Sequence, residues 1–505
     1  MTSNLTLQVL GGDSMDHRSD STFFLMVVIL ITGGLFAPIV GFGFNLATDD
    51  VLFVLQNPLV KDTSLKGLLA VVTSPGHIYG EIQPIPYLSL WIDHAFFGMR
   101  AWGYYVVQIL LHLVNVALVF HVIRSVSGNE LIGLVTAMIF AIHPIQVDTV
   151  AMVNQRKTLL AALFMLCSIS AYLRWNESGS KPAYAYSMIL FVLAMLSKSS
   201  AVVLPLLIIL TNLLKPERLN VRAGLRWAIP FFLPAFLFGV VTILTESAAE
   251  QVHSLKFGTL IGQLKLMLLI YGDYFLSFFW PLNLSPAYIY KATDFHSAKM
   301  AAAVLFCAAV MIFLMVGIKK RCWWLALGIG WFVICLLPTS QLIPTTNLRQ
   351  DHYMYLALVG PALMIGGGVN FLVSGWDARK LYLPVILTIT AVLGPLTFLH
   401  LEHYSTGLKY CERMEQTQGW VPALESIRGR VFLIMGEYTA AEGSYMKTIE
   451  SFGEPLKSRE RYQLAQVYLR MGRPSNAIEQ LEMISAESPL KNEADQIKRD
   501  LRGIE

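Results

Sequence analysis

Eleven apolar stretches occupy most of residues 22–400, and they restrict what this chain can fold into more than any other feature. About 20 apolar residues make a helix that crosses a bilayer, and each stretch is long enough to span it or nearly so. Only 14% of the 505 residues are charged, compared with about 25% in soluble domains. We therefore predict an all-α, polytopic membrane protein. The stretches are 22–44, 101–123, 130–142, 149–173, 184–197, 199–214, 226–245, 298–318, 322–338, 351–373 and 380–400.

A further apolar run, 260–280, differs from the spans because it contains Lys265 and Asp273. If it is omitted and the N-terminus is inside, the basic residues between spans fall on the cytoplasmic side, as the positive-inside rule requires. The run is therefore predicted to lie at the outer surface or to dip into it, and the C-terminus is predicted to be outside. The cytoplasmic basic residues would be Arg124, Arg174, Lys181, Lys215, Arg218, Arg222, Arg226, Lys319, Lys320, Arg321, Arg379 and Lys380.

Composition narrows the class of function. The net charge of +4 gives no reason to expect a nucleic-acid partner. The five cysteines form no CxxC or other metal-ligand spacing, so neither a disulfide framework nor a metal knuckle is expected. The first twenty residues or so are polar and lack an Ala-x-Ala cleavage site, which predicts a retained first span rather than a removed signal.

The stretches divide the chain into a cytoplasmic tail at 1–21, a transmembrane domain at 22–400 with a large outer loop at 44–100, and a polar, helical region at 401–505. Helical patterns occur in the outer loop at about 64–73 and 86–98, the second typical of an interfacial amphipathic helix. In the polar region, Met435–Gly436 and Met471–Gly472 begin similar turns about 36 residues apart. A tetratricopeptide repeat has about 34 residues, so we predict a small, extracytoplasmic repeat domain.

Asp49 and Asp50 follow the first apolar stretch directly, where the chain leaves the membrane on its predicted outer side. Such carboxylates are costly to desolvate and lie where a lipid-borne substrate could reach them. They could simply cap a helix that starts near Val51, since acids favour helix N-termini. Alternatively, one could act as a general base on an acceptor hydroxyl. The other could orient the acceptor or hold a divalent cation such as Mg²⁺ or Mn²⁺.

Several cations lie on the same predicted side. Arg156 and Lys157 are adjacent in the fourth span, and Lys198 lies between the fifth and the sixth. A lone lysine could snorkel to the head groups, but this grouping suits a lipid phosphate better. Arg349 and His352, beside Asp351 at the start of the tenth span, could form another wall of the same site or belong to an aromatic belt.

Gln108, His112 and Asn115 share one face of the second span, at positions i, i+4 and i+7. We interpret this face as a source of interhelical hydrogen bonds that hold the bundle together, in preference to a direct chemical role.

The motifs in this order resemble the transmembrane-and-tetratricopeptide-repeat O-mannosyltransferases and their bacterial relatives, within the GT-C class of lipid-phosphate-sugar glycosyltransferases. This chain departs from the family at four places: Gln83 replaces Arg, Asp148 replaces Glu, His352 replaces Arg, and Gln-Arg-Lys-Thr at 155–158 replaces Gly-Arg-Lys-Asp. The motifs that carry the resemblance are Asp49–Asp50, Gln83–Pro84, the Gln108/His112/Asn115 face, His143–Asp148, Arg156–Lys157, Leu196–Lys198, Trp280–Tyr288, Leu337–Pro344, Asp351–Tyr355 and the repeats.

The resemblance implies inverting transfer of mannose, or of another hexose or pentose, from a polyprenyl-phosphate carrier to a hydroxyl of an extracytoplasmic protein. The short repeat region fits a bacterial inner-membrane relative with a periplasmic active site, a pilin-like acceptor and repeats that present it. The expected base is Asp49 or Asp50. The residues expected to neutralise the donor phosphate, where charge builds in the transition state, are Arg156, Lys157, Lys198, Arg349 and His352. The residues expected to contact acceptor or sugar are Gln83, His143, Asp148, Tyr288, Tyr290 and Asp351.

Two other classes of protein stay open from the sequence. A transporter or lipid flippase would carry paired ionisable residues near the bilayer midplane and an inverted repeat, whereas the charges here cluster at the outer side. A non-enzymatic envelope assembly scaffold would tolerate replacement of the outer acids without loss of function.

Overall fold

The computed structural model describes residues 5–73, 80–214, 221–249, 251, 253–319, 322–451, 453 and 456–502. The regular elements within these residues are helices, as predicted. Contacts divide the chain into two compact units, and each is described by itself. The first consists of Met1–Gly41, Leu52–Leu284 and Tyr288–Leu401, and the second of Phe42–Val51, Ser285–Ala287 and Glu402–Glu505.

Apolar helices build the first unit. Among the described residues, six are long and apolar enough to cross a membrane, up to eight if each of two bent pairs is one span, and three shorter apolar helices accompany them. Each predicted stretch coincides with one of these helices or bent pairs, and eleven crossings remain a prediction. In chain order the helices are α1 (Leu5–Phe36), α2 (Pro58–Lys61), α3 (Leu65–Thr73), α4 (Pro84–Phe97), α5 (Ala101–Ser127), α6 (Glu130–Ile142), α7 (Val147–Val150), α8 (Arg156–Ser178), α9 (Lys181–Met195), α10 (Leu204–Leu214), α11 (Val221–Ala248), α12 (Leu260–Phe279), α13 (Ala298–Lys319), α14 (Trp323–Leu336), α15 (Met354–Ala357), α16 (Val359–Leu372) and α17 (Arg379–Glu402).

The core of the first unit surrounds α6. Every residue of α6 from Leu131 to Ile142 is buried, as expected for a helix that is apolar on all sides. Close approach of α14 and α16 depends on glycine, because a Cβ on Gly360 would lie 2.3 Å from the carbonyl oxygen of Gly328. Small residues of this kind let membrane helices pack backbone to backbone.

The chain bends sharply at the end of one predicted span and near the start of another. The helix that ends at Ile142 meets the segment beginning at Pro144 at 53°, and Asp351–Ala357 meets α16 at 47°. Proline disfavours helical geometry in the residue before it, which accounts for the break at His143. Side chains bind the backbone groups that these breaks free: the Ile145 N–H donates to His143, and the His352 N–H donates to Asp148. Both breaks therefore carry predicted site residues.

The helices outside the spans largely agree with the predictions from the sequence. The helices predicted at 64–73 and 86–98 are α3 and α4, and α4 begins two residues earlier because Pro84 fits the first helical turn. The run at 260–280 forms α12, which is not among the described helices apolar enough to span.

The second unit contains two helical hairpins connected at the predicted turn glycines. Gly436 and Gly472 have φ of 81° and 69°, in the left-handed region that favours glycine. Tyr445, Leu464 and Leu481 are among the residues that form its core. The hairpins have the predicted helix–turn–helix pattern, while the repeat-domain assignment remains a prediction. The helices are α18 (Gly407–Gln418), α19 (Pro422–Met435), α20 (Tyr438–Ser451), α21 (Leu456–Arg470), α22 (Pro474–Glu482) and α23 (Lys491–Arg502).

Candidate functional site

Two lysines, Lys157 buried and Lys198 half-buried, form the centre of the candidate site in the first unit. Lys157 is the second residue of α8, and its ammonium donates to Glu81 Oε2 at 2.8 Å. Lys198 follows α9, and its ammonium donates to Thr158 Oγ1 at 2.8 Å. Among the described residues, no carboxylate lies within ion-pair distance of Lys198. We call Lys157, Lys198 and Glu81 the lysine cluster.

The charge of Lys157 affects the pKa of Lys198. Burial and the nearby charge of Lys157 lower the pKa of Lys198 to about 7, while Glu81 and Asp148 act in the opposite direction. Desolvation disfavours the ammonium, and a second cation close by adds repulsion. The lysine cluster therefore holds more positive charge than its one ion-paired carboxylate neutralises, so an anion would be stabilised there.

A histidine–aspartate pair lies within electrostatic range of the lysine cluster. Asp148 Oδ2 accepts hydrogen bonds from the backbone N–H of His352 at 2.9 Å and from its Nδ1–H at 2.8 Å. These contacts fix the ring and leave Nε2 of a neutral imidazole with the lone pair. Asp148 thus orients His352, and its predicted role in orienting acceptor or sugar remains a prediction.

A pocket with a cavity volume of about 40 Å³ adjoins Lys198 and His352. Its lining joins polar side chains to a larger apolar portion, as is usual for ligand pockets. The polar lining residues include Lys198, Ser200, His352 and Tyr353, and the apolar ones include Ala161, Ala162, Met165, Val203 and Leu356.

Arg156 has a different geometry from the one predicted. Its guanidinium is fully buried and forms an ion pair with Asp93 at 2.7 Å. It also donates to Gln108 Oε1 at 2.6 Å, Ser89 Oγ at 2.7 Å and the Tyr104 carbonyl at 3.1 Å. All three guanidinium nitrogens are used within the protein, so this geometry supports a structural role that joins α4, α5 and α8 rather than phosphate binding.

Both ring nitrogens of His143 also have hydrogen-bond partners within the protein. Its Nε2 is 2.9 Å from the Phe278 carbonyl, to which it must donate, and its Nδ1 accepts the Ile145 N–H at 3.2 Å. Both ring nitrogens therefore serve the backbone, and the ring stacks on Phe278. These contacts support a structural role for His143 at the bend after α6, while its predicted contact with acceptor or sugar remains a prediction.

The structure brings Arg349, Asp351, Tyr288 and Tyr290 together. Arg349 lies 3.6 Å over the ring of Tyr288, whose hydroxyl donates to Asp351 at 2.8 Å. The hydroxyl of Tyr290 donates to Asp273 at 2.8 Å, and burial raises the pKa of Tyr290. One face of Tyr288 is thus covered by Arg349 and is not open for a sugar to stack on.

Two further predictions can be compared directly with the structure. His112 and Asn115 bind the Ala141 and Leu159 carbonyls of neighbouring helices. Gln108 accepts a hydrogen bond from Arg156 on α8 and donates to the Met152 carbonyl before that helix, so the interhelical interpretation is confirmed. Gln83 precedes α4 and is buried, and its Oε1 lacks a hydrogen-bond partner among the described residues. A buried acceptor without a partner is unusual, which keeps Gln83 as a candidate ligand contact.

Asp49 and Asp50 belong to the second unit. The loop that carries them is anchored on C-terminal helices: Arg430 donates to the Ala47 carbonyl at 2.7 Å, and Asn45 Nδ2 donates to the Tyr404 carbonyl at 3.3 Å. Asp50 Oδ2 accepts the Asn45 N–H at 3.3 Å, and the chain continues into a π-helical turn at Val51–Leu55.

A divalent cation at Asp49–Asp50 would need several oxygen ligands close together. Within the described ranges, no group of three or more His, Cys, Asp or Glu side chains comes together. A cation held by this pair would need its other ligands from backbone carbonyls, a bound phosphate or water. The side chains alone do not form a complete site.

Three acidic residues at or beside the site were missed as site residues. Glu81 pairs with Lys157, Asp93 with Arg156, and Asp273 lies 3.6 Å from Arg349. Asp273 appeared in the sequence only as a charge within an apolar run. Acids inside otherwise apolar segments need a buried partner, and that signal could have identified Asp93 and Asp273.

Comparison with known proteins finds similar sequences over part of the chain. The family model described as dolichyl-phosphate-mannose-protein mannosyltransferase matches residues 83–244, less than half of the chain. Protein O-mannosyl-transferase Tmtc2 of Drosophila melanogaster is 34% identical over 131 residues, which are 25% of this chain and 14% of that protein. Protein O-mannosyl-transferase TMTC1 of Mus musculus is 28% identical over 141 residues, 26% of this chain and 15% of that protein.

Among solved structures, the oligosaccharyltransferase of Archaeoglobus fulgidus superposes with a TM-score of 0.42 and 13% identity, covering 88% of this chain and 59% of that one. This likeness is too low to support an argument. The resemblance predicted from the motifs is confirmed by the family model and the relatives. The matched segments span only 14% and 15% of the length of those two relatives.

Proposed function

We propose that this protein is a membrane glycosyltransferase that moves a sugar from a lipid-phosphate carrier to a hydroxyl of a protein. The observation that carries the proposal is the lysine cluster beside the pocket. The two ammonium groups have one ion-paired carboxylate between them, and the contacts of Lys198 among the described residues are with neutral groups, the Thr158 hydroxyl and the Tyr353 ring. A phosphate group supplies the missing negative charge. Relatives named protein O-mannosyl-transferases support the sugar and acceptor classes.

The geometry refines the roles assigned from the sequence. Lys157 and Lys198 hold the phosphate, whose leaving oxygen gains charge as the bond to the sugar breaks, and fixed cations stabilise that charge. His352, oriented by Asp148, accepts a hydrogen bond from a sugar hydroxyl at Nε2 while neutral and donates from Nε2 to the phosphate when protonated. Arg349 and its tyrosines form a supporting wall, and Arg156 positions α8.

The base is Asp49 or Asp50. Because Asp50 is fully buried and accepts a backbone hydrogen bond from its own loop, Asp49 is the better candidate to take the proton of the acceptor hydroxyl, and Asp50 to hold the loop in shape. Gln83 contacts acceptor or sugar. A divalent cation at this pair is not needed for charge balance at the lysine cluster.

The finer assignments belong to the same proposal. The carrier is a polyprenyl phosphate and the sugar is mannose or another hexose or pentose. The membrane is a bacterial inner membrane with the lysine cluster on the periplasmic side, which the basic residues of the opposite loops support. The hairpins of α19–α22 present the protein acceptor, possessing the paired-helix form common in peptide-binding repeats.

The experiment uses the full chain in proteoliposomes with sugar-labelled, short-chain polyprenyl-phosphate mannose and an extract of envelope proteins. Label incorporated into protein is measured and then located by mass spectrometry. Lys198→Met should lower transfer by about 100-fold or more, the usual loss when one charge-stabilising donor is removed. Lys181→Met is the matched control, since Lys181 is exposed and lies on the predicted cytoplasmic side.

Transfer by Lys198→Met at the wild-type rate would overturn the assignment of the phosphate site. Movement of labelled lipid across the bilayer without labelled protein would instead identify a flippase. Labelling from a different hexose or pentose donor, but not from mannose, would keep the reaction and change the sugar.

A further inference from the structure

Glu81 is the one acid, among the described residues, within ion-pair distance of either lysine in the cluster. Its carboxylate lies 2.8 Å from the Lys157 ammonium, and the two side chains are 26% and 11% exposed. The other acids nearby are placed differently. Asp148 binds His352, and Glu246 on α11 interacts with Glu81 and Lys157 at longer range. Glu81 is therefore the carboxylate in direct contact with the lysine cluster, while Asp148 and Glu246 act on it at longer range.

We propose that Glu81 adjusts the lysine cluster to the singly charged phosphodiester of a lipid-linked sugar and disfavours the doubly charged phosphomonoester that remains after transfer. This inference rests on the proposed function. Glu81 is accordingly a specificity-determining residue that promotes product release.

The charges of substrate and product give the reason. In the transfer, the bond between the sugar carbon and the phosphate oxygen breaks, and its electron pair stays on that oxygen. The sugar carbon forms a new bond to the acceptor oxygen, whose proton goes to the base. A phosphodiester of charge −1 thus becomes a phosphomonoester, which carries about −1.5 to −2 at neutral pH.

The charge of the lysine cluster matches that of the phosphodiester better than that of the phosphomonoester. Two ammonium groups and one carboxylate sum to +1. A bound anion favours the charged form of Lys198, so both lysines are cations in the complex. A phosphodiester then neutralises the cluster, whereas a dianionic phosphomonoester leaves one negative charge in excess and is repelled by Glu81.

Glu81 can remain in place while the phosphate binds. An ammonium has three donors, and Lys157 uses one on Glu81, while the aromatic ring of Phe53 lies 5.1 Å away. The backbone at Gly80 passes close to α11, since its φ is +73° and a Cβ there would lie 2.5 Å from the Thr245 carbonyl oxygen. The ion pair with Glu81 thus leaves two donors of the Lys157 ammonium for a ligand.

The test measures binding, not transfer. Isothermal titration of the full chain in detergent, near pH 7.5, compares farnesyl phosphate, a monoester, with methyl farnesyl phosphate, a diester. In Glu81→Gln the affinity for the monoester should rise about 10- to 100-fold more than that for the diester, the effect of one extra charge at a partly screened distance. Glu177→Gln, which removes an exposed acid at the end of α8, should keep the wild-type ratio of affinities.

Glu81→Asp, which keeps the charge, should also keep that ratio. An equal change in the ratio for Glu81→Asp and Glu81→Gln would show that shape rather than charge is responsible and would overturn the inference. Equal strengthening of both ligands in Glu81→Gln would overturn it too, while leaving the proposed function intact. If wild-type protein bound neither lipid, the phosphate site itself would be wrong. Glu81→Asn serves as the second neutral variant if Glu81→Gln is unstable.

Discussion

Replacing Arg156 distinguishes a structural arginine from a phosphate ligand. In Arg156→Met the ion pair with Asp93 and three hydrogen bonds disappear, while the apolar stem of the side chain is retained. Asp93, whose side chain is 5% exposed, then becomes a buried carboxylate without its cation. Gln108 Oε1 loses the donor that lies 2.6 Å away.

The expected cost follows from these losses. Removing one partner of a buried ion pair costs about 3–5 kcal/mol, and a stranded buried acceptor costs about 1–3 kcal/mol. The two contributions are not additive, because both groups belong to one network. We expect a decrease of about 4 kcal/mol in the free energy of unfolding.

The loss should depend on pH. Burial raises the pKa of Asp93, and the charge of Arg156 opposes that shift. Without Arg156, folded Asp93 keeps its proton at pH values where the unfolded chain has released it. Since the folded state then binds more protons, stability falls as pH rises above the ordinary carboxyl range. The variant should therefore be closer to wild type near pH 5 than near pH 8.

The assay is SDS titration of the full chain in mixed micelles, with binding of farnesyl phosphate measured in parallel. Arg124→Met is the matched control, because Arg124 pairs with Glu130 at 3.7 Å near the surface, with side chains 28% and 22% exposed. Such a pair contributes about 1 kcal/mol at most. Arg156→Met/Asp93→Leu should recover much of the lost stability, since removing both buried charges is far less costly than removing one.

One result would refute the reasoning. If Arg156→Met unfolded at the wild-type detergent concentration but no longer bound farnesyl phosphate, Arg156 would be the phosphate ligand that the sequence motif predicted. The hydrogen bonds to Gln108, Ser89 and Tyr104 would then contribute little.

Three other outcomes are expected. Asp49→Asn should reduce sugar transfer about 100-fold or more, as for a missing general base, and Asp50→Asn should weaken the 42–51 loop; near wild-type transfer by both would exclude the assignment. Affinity for methyl farnesyl phosphate should be constant below about pH 7 and fall up to tenfold per pH unit above it, because empty Lys198 loses its proton there; a flat profile would contradict this. Gly436→Ala should lower the free energy of unfolding by about 1 kcal/mol, since φ is positive there, whereas Gly443→Ala inside α20 should raise it. Both changes are measured by limited proteolysis of the full chain, and the same sign for both would contradict the turn assignment.

Patterns that depend on neighbouring residues were predictable from the sequence. The apolar stretches specify helices because a backbone in lipid must satisfy its own hydrogen bonds. Gly436 and Gly472 end helices at the predicted turns because the left-handed region costs glycine little. The face at Gln108, His112 and Asn115 follows from helical periodicity, and its interhelical bonds were predicted for the same reason.

Roles that depend on distant partners were not predictable in this way. Arg156 and Lys157 are adjacent, so sequence analysis grouped them as phosphate ligands. On a helix, successive side chains point about 100° apart. Arg156 therefore forms an ion pair with Asp93 on α4, while Lys157 forms one with Glu81, which precedes α4 in the chain. Neither acid lies near these cations in sequence.

The sequence by itself determined the succession of apolar helices, the helical hairpins of the C-terminal region and the set of charged residues from which a phosphate site could be made. Only the tertiary structure decided which of those charges are already neutralised. It gave Arg156 a complete set of partners, left Lys198 without a counter-ion among the described residues, and put Asp49 and Asp50 in the unit of the C-terminal helices. The physical reason is that hydrophobicity and turn preference are local properties, whereas the state of a buried charge depends on the groups that folding brings within a few ångströms of it.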